Sequence, residues 1–203
     1  MKMTVQVISA TEFPMDVVSM AAGTCYGKDN ISYNRVKTCF KADHMSVFEH
    51  ASITFKVEGV SRACLAQITR HRLASFCVES QRYCKYDFSG EDWYITPPEI
   101  KSDSELIDKF KNTVHRCADE YHEALEFGVR PEDARFMLPE ATKTNFVVTM
   151  NVRELFHFFD MRLDKAAQWE IRELAREMLE AASRVNDQWG TIIDLYETHG
   201  ELR

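Results

Sequence analysis

Apolar and polar residues alternate along a few short stretches of this chain and recur at helical spacing along most of the remainder. Near the N-terminus "TVQVIS" alternates as a strand does, and "SITFKVEGV" places Ile53, Phe55 and Val57 on one face at period two. "NFVVTMNV" is a third strand candidate. "DVVSMAAGTCYG" predicts a short helix that stops near Gly23 or runs on to Gly27. From Ser61 the period becomes helical: Val60, Cys64 and Ile68 share a stripe, and Gln67 and Arg70 share a face near the helix end. A loop is then expected through Ser80, and "DFSGEDWYITPPEI" is a turn-rich connection closed by Pro97 and Pro98. "SDSELIDKFKNTVHRCADEYHEALEFGV" predicts a long amphipathic helix with Leu106, Phe110, Val114, Cys117, Tyr121 and Leu125 inward and Gly128 as its stop. Two more helices are expected, "RELFHFFDMRL" and "KAAQWEIRELAREMLEAASRVNDQWGTII". With no repeat or linker, these elements predict a helix-rich α+β single domain over 1–203 with a small antiparallel sheet.

Composition supports a globular chain: 45% of the 203 residues are hydrophobic and 28% charged. No apolar run is long enough to cross a bilayer, and "MKMTVQVISATEF" lacks the apolar core of a signal peptide, so a cytoplasmic protein without membrane contact is expected. The six cysteines form no Cys-x-x-Cys pair, which gives a zinc site little support and fits reduced thiols. The net charge of −7 argues against a nucleic-acid binder. Its distribution is uneven. From Gly59 to Tyr86 five basic residues face one carboxylate, Glu79, and the rest of the chain carries −11. Such a concentration holds either a local anion site or internal ion pairs.

The segment "RHRLASFCVESQRY" lies within that basic stretch. Arg70 and Arg72 flank His71, an arrangement suited to a diphosphate and equally to the positive end of a helix. Ser80, Gln81 and Arg82 add hydroxyl, amide and guanidinium donors. No G-x-G-x-x-G or Walker pattern occurs among only seven glycines, so any dinucleotide would be held by side chains.

Arg-His-Arg, then seven residues, then Ser followed by x-Arg-Tyr resembles the signature of the flavin-dependent thymidylate synthases. "HMSVFEHASITFKVEGVSRACLAQITRHR" and "ARFMLPEATKTNFVVTMNVRELFHFFDMRLDKAAQWEIRELA" resemble further blocks of that family, in the same order. The resemblance implies conversion of dUMP to dTMP, with 5,10-methylenetetrahydrofolate as one-carbon donor and FAD, reduced by NADPH, as hydride source. It also implies a homotetramer with active sites shared between subunits. Position by position, it places His44, Ser46, Arg70, His71, Arg72, Asn151, Arg153 and His157 at the flavin. Gln67, Arg70, Ser80, Gln81, Arg82 and Arg135 fall at the nucleotide, and Glu79, one place after the family's usual Glu, is assigned there with them. Arg162 falls on the uracil ring, where it would stabilise charge developing on the pyrimidine.

Without the resemblance, Arg135 and Arg162 read as ion-pairing arginines and Asn151 as a helix cap. Two departures stand out. Cys77 and Val78 replace an Asn-Glu pair common before the signature Ser, and His157 stands where some relatives carry Asn. They motivate an alternative, a nucleotide-binding relative with impaired catalysis. An RNA-binding loop with Phe76, Tyr83 and Tyr86 as stacking groups is opposed by the acidic surroundings. Cys77, among positive charges, is tempting as a nucleophile, but the resemblance implies hydride chemistry without an enzyme thiol; His50 is expected to anchor the strand that follows it.

Overall fold

The computed structural model describes residues 2–84, 86 and 88–199. In chain order the elements are β1 (Thr4–Ala10), α1 (Pro14–Thr24), α2 (Tyr33–Lys41), a 3-10 helix (Met45–His50), β2 (Ser52–Ser61), α3 (Arg62–Ile68) and β3 (Ala74–Val78). There follow α4 (Pro98–Lys101), α5 (Ser104–Glu126), α6 (Pro131–Ala134), a 3-10 turn (Arg135–Met137), β4 (Lys143–Asn151), α7 (Val152–Arg162), α8 (Trp169–Ser183) and α9 (Asp187–His199). The strands form one small antiparallel sheet in the order β1-β2-β4-β3. Its register is fixed at intervals: Val152 N–H donates to the Ala51 carbonyl, the Thr54 and Thr149 hydroxyls meet at 2.9 Å, and Arg62 N–H donates to the Thr142 carbonyl.

Both central strands run directly into helices. Ser61 ends β2 and its Oγ accepts from Cys64 N–H; Asn151 ends β4 and its Oδ1 accepts from Glu154 N–H. A side-chain oxygen at each junction takes an amide that the first turn leaves without a helical partner. This is why a strand can become a helix here with no intervening loop.

The chain divides by its internal contacts into two compact units, whose boundary passes through β2 and β4. One unit holds 58–67 and 78–146 (with the N-terminal pair), and its core gathers Phe88, Trp93, Tyr94, Val114, Ala118 and Tyr121. The other holds 3–57, 68–77 and 147–203. There α1, α2, α7, α8 and α9 pack around Phe40, Phe48, Phe156, Phe159 and Tyr196, and Trp189 donates through Nε1 to the Thr11 carbonyl at 2.8 Å.

Several expectations are corrected. Residues 74–78, read as loop, form the edge strand β3. Helix α3 stops at Ile68, so Arg70 lies in the following turn and shares no helical face with Gln67. The C-terminal helix is two helices, because Asn186 accepts from Trp189 N–H and restarts the chain as α9. Leu106 is 48% exposed, although the rest of the inward stripe of α5 is at least partly buried. Helix α2 had no counterpart in the periodicity, and His50 is exposed. Among the described residues no helix is long and apolar enough to cross a membrane.

Candidate active site

The predicted site residues fall into two groups, one in each unit. In the unit containing α7, the signature histidine is the hub. His71 is 5% exposed and sits in the turn between α3 and β3. Its Nε2 lies 3.0 Å from Arg162 Nε, and its Nδ1 lies 2.9 Å from Glu154 Oε1. Arginine Nε can only donate, so Nε2 must accept and the ring proton must be on Nδ1, which donates to Glu154. Burial, above all, holds the imidazole below its ordinary pKa; the Arg162 charge acts in the same direction, and the hydrogen bond to Glu154 opposes it. A neutral histidine thus lies between a carboxylate and a guanidinium.

Helix α7 supplies the scaffold. Glu154, Phe158 and Arg162 recur at four-residue spacing along one stripe. The Phe158 ring meets the His71 ring edge-on, with centroids 5.0 Å apart, and His157 stands 5.6 Å away on the helix. Asn151, the N-cap, is committed through Oδ1 to Glu154 N–H. Arg153, exposed, pairs with Glu49. His44 and Ser46 are exposed at the start of the 3-10 helix. Arg70 and Arg72 flank His71 on the surface, and neither is paired with a carboxylate among the described residues.

The nearest ligand atoms of His71, Glu154 and His157 all lie within 4.8 Å of one another, a spacing a metal ion could use. The hydrogen-bond polarity is against it. A metal on Nδ1 would move the ring proton to Nε2, where it would oppose the Arg162 N–H across 3.0 Å.

In the other unit, Ser80, Gln81 and Arg82 form a turn just after β3. Ser80 Oγ accepts from Arg82 N–H, and the Ser80 carbonyl accepts from Cys84 N–H at 2.9 Å. Gln81 is buried. Arg82 pairs with the Glu132 carboxylate, while Arg135 Nε donates to the Glu132 carbonyl at 3.0 Å. The fold therefore brings these two predicted arginines together around one residue. Gln67, at the end of α3, reaches back to the Ala63 carbonyl. Glu79 is held structurally: its Oε2 accepts from Asn145 Nδ2 at 2.5 Å and its carbonyl accepts from Arg62. Burial first, then the Glu79 charge, pushes the Tyr86 phenol up to about 12.

Glu154, Glu132 and Asn145 were missed by the sequence reading. Asn151-x-x-Glu154 has the form of a capping box, whose glutamate should fold back onto the cap residue; here the carboxylate goes to His71 instead. All cysteines among the described residues are free thiols, with Cys77 exposed on β3. A cavity of about 500 Å³ between β1 and α8 and one of about 440 Å³ beside His122 contain none of the predicted residues.

A family model described as "thymidylate synthase complementing protein" matches residues 6–186. The flavin-dependent thymidylate synthase of Pyrococcus furiosus is 41% identical over 195 residues, covering 90% of this chain and 80% of the relative. That of Haloarcula marismortui is 38% identical over 224 residues, covering 89% and 91%. That of Geobacter sulfurreducens is 41% identical over 188 residues, covering 87% and 81%. The crystal structure of thymidylate synthase X (ThyX) from Helicobacter pylori with FAD and dUMP superposes with a TM-score of 0.75, over 96% of this chain and 99% of that one. At 22% identity, that likeness shows a shared fold. By the extent of the family match and the level of identity, this chain belongs to the flavin-dependent thymidylate synthase family.

Proposed function

We propose that the chain catalyses the reductive methylation of dUMP to dTMP, with 5,10-methylenetetrahydrofolate as one-carbon donor and NADPH as the source of electrons through FAD. The observation that carries this reading is the 3.0 Å hydrogen bond from Arg162 Nε to His71 Nε2. It ties the Arg-His-Arg signature to the arginine that the family resemblance assigns to the pyrimidine. The residues fit a flavin dinucleotide: Arg70 and Arg72, two exposed guanidiniums without carboxylate partners among the described residues, suit a diphosphate. His44, Ser46, His71, Asn151, Arg153 and His157 would complete the hold on FAD, which when reduced supplies a hydride.

On the nucleotide side Gln67, Ser80, Gln81, Arg82 and Arg135, together with Arg70, would bind dUMP. Arg82 would exchange the Glu132 carboxylate for a phosphate, an anion of higher charge. Glu79 serves this site through its grip on Asn145, which holds the turn carrying Ser80. Arg162 is the catalytic residue. Its guanidinium faces the negative charge that develops on the pyrimidine as N3 ionises and electrons shift toward C5. No enzyme thiol takes part. We further propose that residues 1–203 act as one catalytic domain within a cytoplasmic homotetramer whose subunits share active sites.

The test is an anaerobic assay of the purified protein for dTMP formed from dUMP, methylenetetrahydrofolate and NADPH. The protein is expected to be yellow, with a flavin spectrum that dUMP perturbs. Arg162→Ala should keep the wild-type circular dichroism and lose turnover by roughly 100- to 1000-fold, the scale of removing one preorganised charge-stabilising donor. A colourless protein that FAD cannot reconstitute would refute the reaction; near-normal dTMP formation by R162A would refute the role of Arg162.

A further inference from the structure

Glu154 is a carboxylate for which the reaction as proposed has no use. It is 3% exposed, on a helix face shared with buried Phe and Leu side chains. A charge so placed persists only where specific partners hold it, and breaking such a pair is costly. The partner here is His71 Nδ1–H at 2.9 Å, and the same ring accepts from Arg162 Nε at 3.0 Å.

We propose that Glu154 is a positioning residue: by holding His71 in its Nδ1–H tautomer, it fixes the imidazole as an acceptor for Arg162 Nε–H and so sets the plane of the guanidinium. The inference rests on the assignment of Arg162 to the pyrimidine. Glu154 and Arg162 are eight residues apart, about 12 Å along the helix, too far for a short carboxylate side chain to orient the guanidinium directly. The His71 ring, supported edge-on by Phe158 between them, spans that gap. The bonds have one workable polarity. In the other tautomer Nε2–H would face Arg162 N–H, two donors at hydrogen-bond distance, and the guanidinium would turn away. Because that group is planar and rigid, fixing the direction of its Nε–H also fixes where its terminal nitrogens point.

The experiment combines a spectroscopic readout with kinetics on the holoprotein. Long-range proton–nitrogen spectra of protein labelled with nitrogen-15 histidine, with His71 assigned by its loss in H71Q, should show a protonated Nδ1 and an unprotonated Nε2. In Glu154→Leu the ring should shift to the Nε2–H form or to exchange between the two. E154L should lower kcat for dTMP by roughly 10- to 100-fold, the cost of a misplaced catalytic group. KM for dUMP should change by less than about threefold, as expected when an interaction of the transition state is lost. Glu154→Gln, whose amide oxygen still accepts from Nδ1–H, should retain activity within about fivefold.

The double-mutant cycle is decisive. In an R162K background, where the Nε–H is gone, neither E154L nor E154Q should cause any further loss. Should E154L not fold, the ring tautomer in the wild type and in E154Q decides the question, and an Nε2–H ring in either overturns the proposal. An Nε2–H tautomer in the wild type, E154L kinetics within about twofold of wild type, or equal losses in both backgrounds would overturn the proposal. Wild-type protein that makes no dTMP would refute the proposed reaction instead, and the two failures are distinguishable because the tautomer is read without turnover.

Discussion

Asn145 offers a test of how the proposed nucleotide side is built. From β4 its Nδ2 donates to Glu79 Oε2 at 2.5 Å, and its Oδ1 accepts from Gly59 N–H at 3.0 Å. Gly59 has φ of +75°, a left-handed conformation within β2 that turns its amide to this side chain. Asn145→Ala removes both bonds. It leaves a partly buried carboxylate without its donor and an amide without its acceptor. A hydrogen bond to a charged group is worth about 1.5–3 kcal/mol and a neutral one about 0.5–1.5 kcal/mol, so the loss is about 2–4.5 kcal/mol. For a chain of this size that lowers the melting temperature by roughly 5–15 °C. Thermal and denaturant unfolding followed by circular dichroism would measure it. Asn145→Asp should be worse than N145A, since it sets two carboxylates face to face. Glu79→Gln should then rescue N145D, because the new amide donates to the new carboxylate. N145A within about 0.5 kcal/mol of wild type, or N145D not rescued by E79Q, would refute this account.

Two further outcomes are expected. In α1, a Cβ at Gly23 would stand 2.3 Å from the Lys28 carbonyl oxygen and 2.6 Å from Arg35 Nη1, so Gly23→Ala should destabilise the fold by about 1–3 kcal/mol in denaturant titrations; an unchanged midpoint would refute that packing. His71 faces Glu154, His157 and Arg162, and its folded pKa lies below the ordinary histidine value. The unfolded chain therefore binds this proton more readily, so the contribution of neutral His71 to stability is fully present above about pH 6.5 and is lost as pH falls through the lower folded value. Between pH 7 and 5 the wild type should lose more stability than His71→Gln, and equal slopes would show that burial of His71 carries no such cost.

The strands β2 and β4 were legible because alternation is read directly from one residue to the next, and Ile53, Phe55 and Val57 are fully buried as expected. Helical periodicity identifies a face without showing how far the core extends along it. Leu106 and Val114 carry the same signal in α5, yet one is exposed and the other buried. β3 has five residues, too few for alternation to stand out, and its existence depends on pairing with a distant strand. The same limit governs the site. Arg70, His71 and Arg72 are adjacent in sequence and could be read as a unit, whereas Glu132 acquires its meaning from Arg82, fifty positions away. Glu154 was concealed by a local pattern. Asn-x-x-Glu at a helix start predicts a capping residue, and only the tertiary approach of His71 redirects its carboxylate.

The placement of a neutral ring between Glu154 and Arg162 has an electrostatic consequence. In direct contact, at about 4 Å, a carboxylate and a guanidinium attract by about 4 kcal/mol at an effective dielectric of 20, and the pair presents little net charge to a ligand. Across His71 the separation is about twice as large and the attraction about half, while the hydrogen bonds still define the geometry. Glu154 thereby orients Arg162 through the ring and not by pairing with it directly. Arg82 is paired directly with the Glu132 carboxylate and, in the proposed reaction, would exchange that partner for a phosphate. An arginine that binds a preformed anion can afford such an exchange, because the phosphate arrives with its charge complete. One that must meet charge appearing only during the reaction cannot, since reorganisation at that moment would add to the barrier. In the proposed reaction the interposed histidine would serve that requirement by fixing the direction of the Arg162 Nε–H before charge develops.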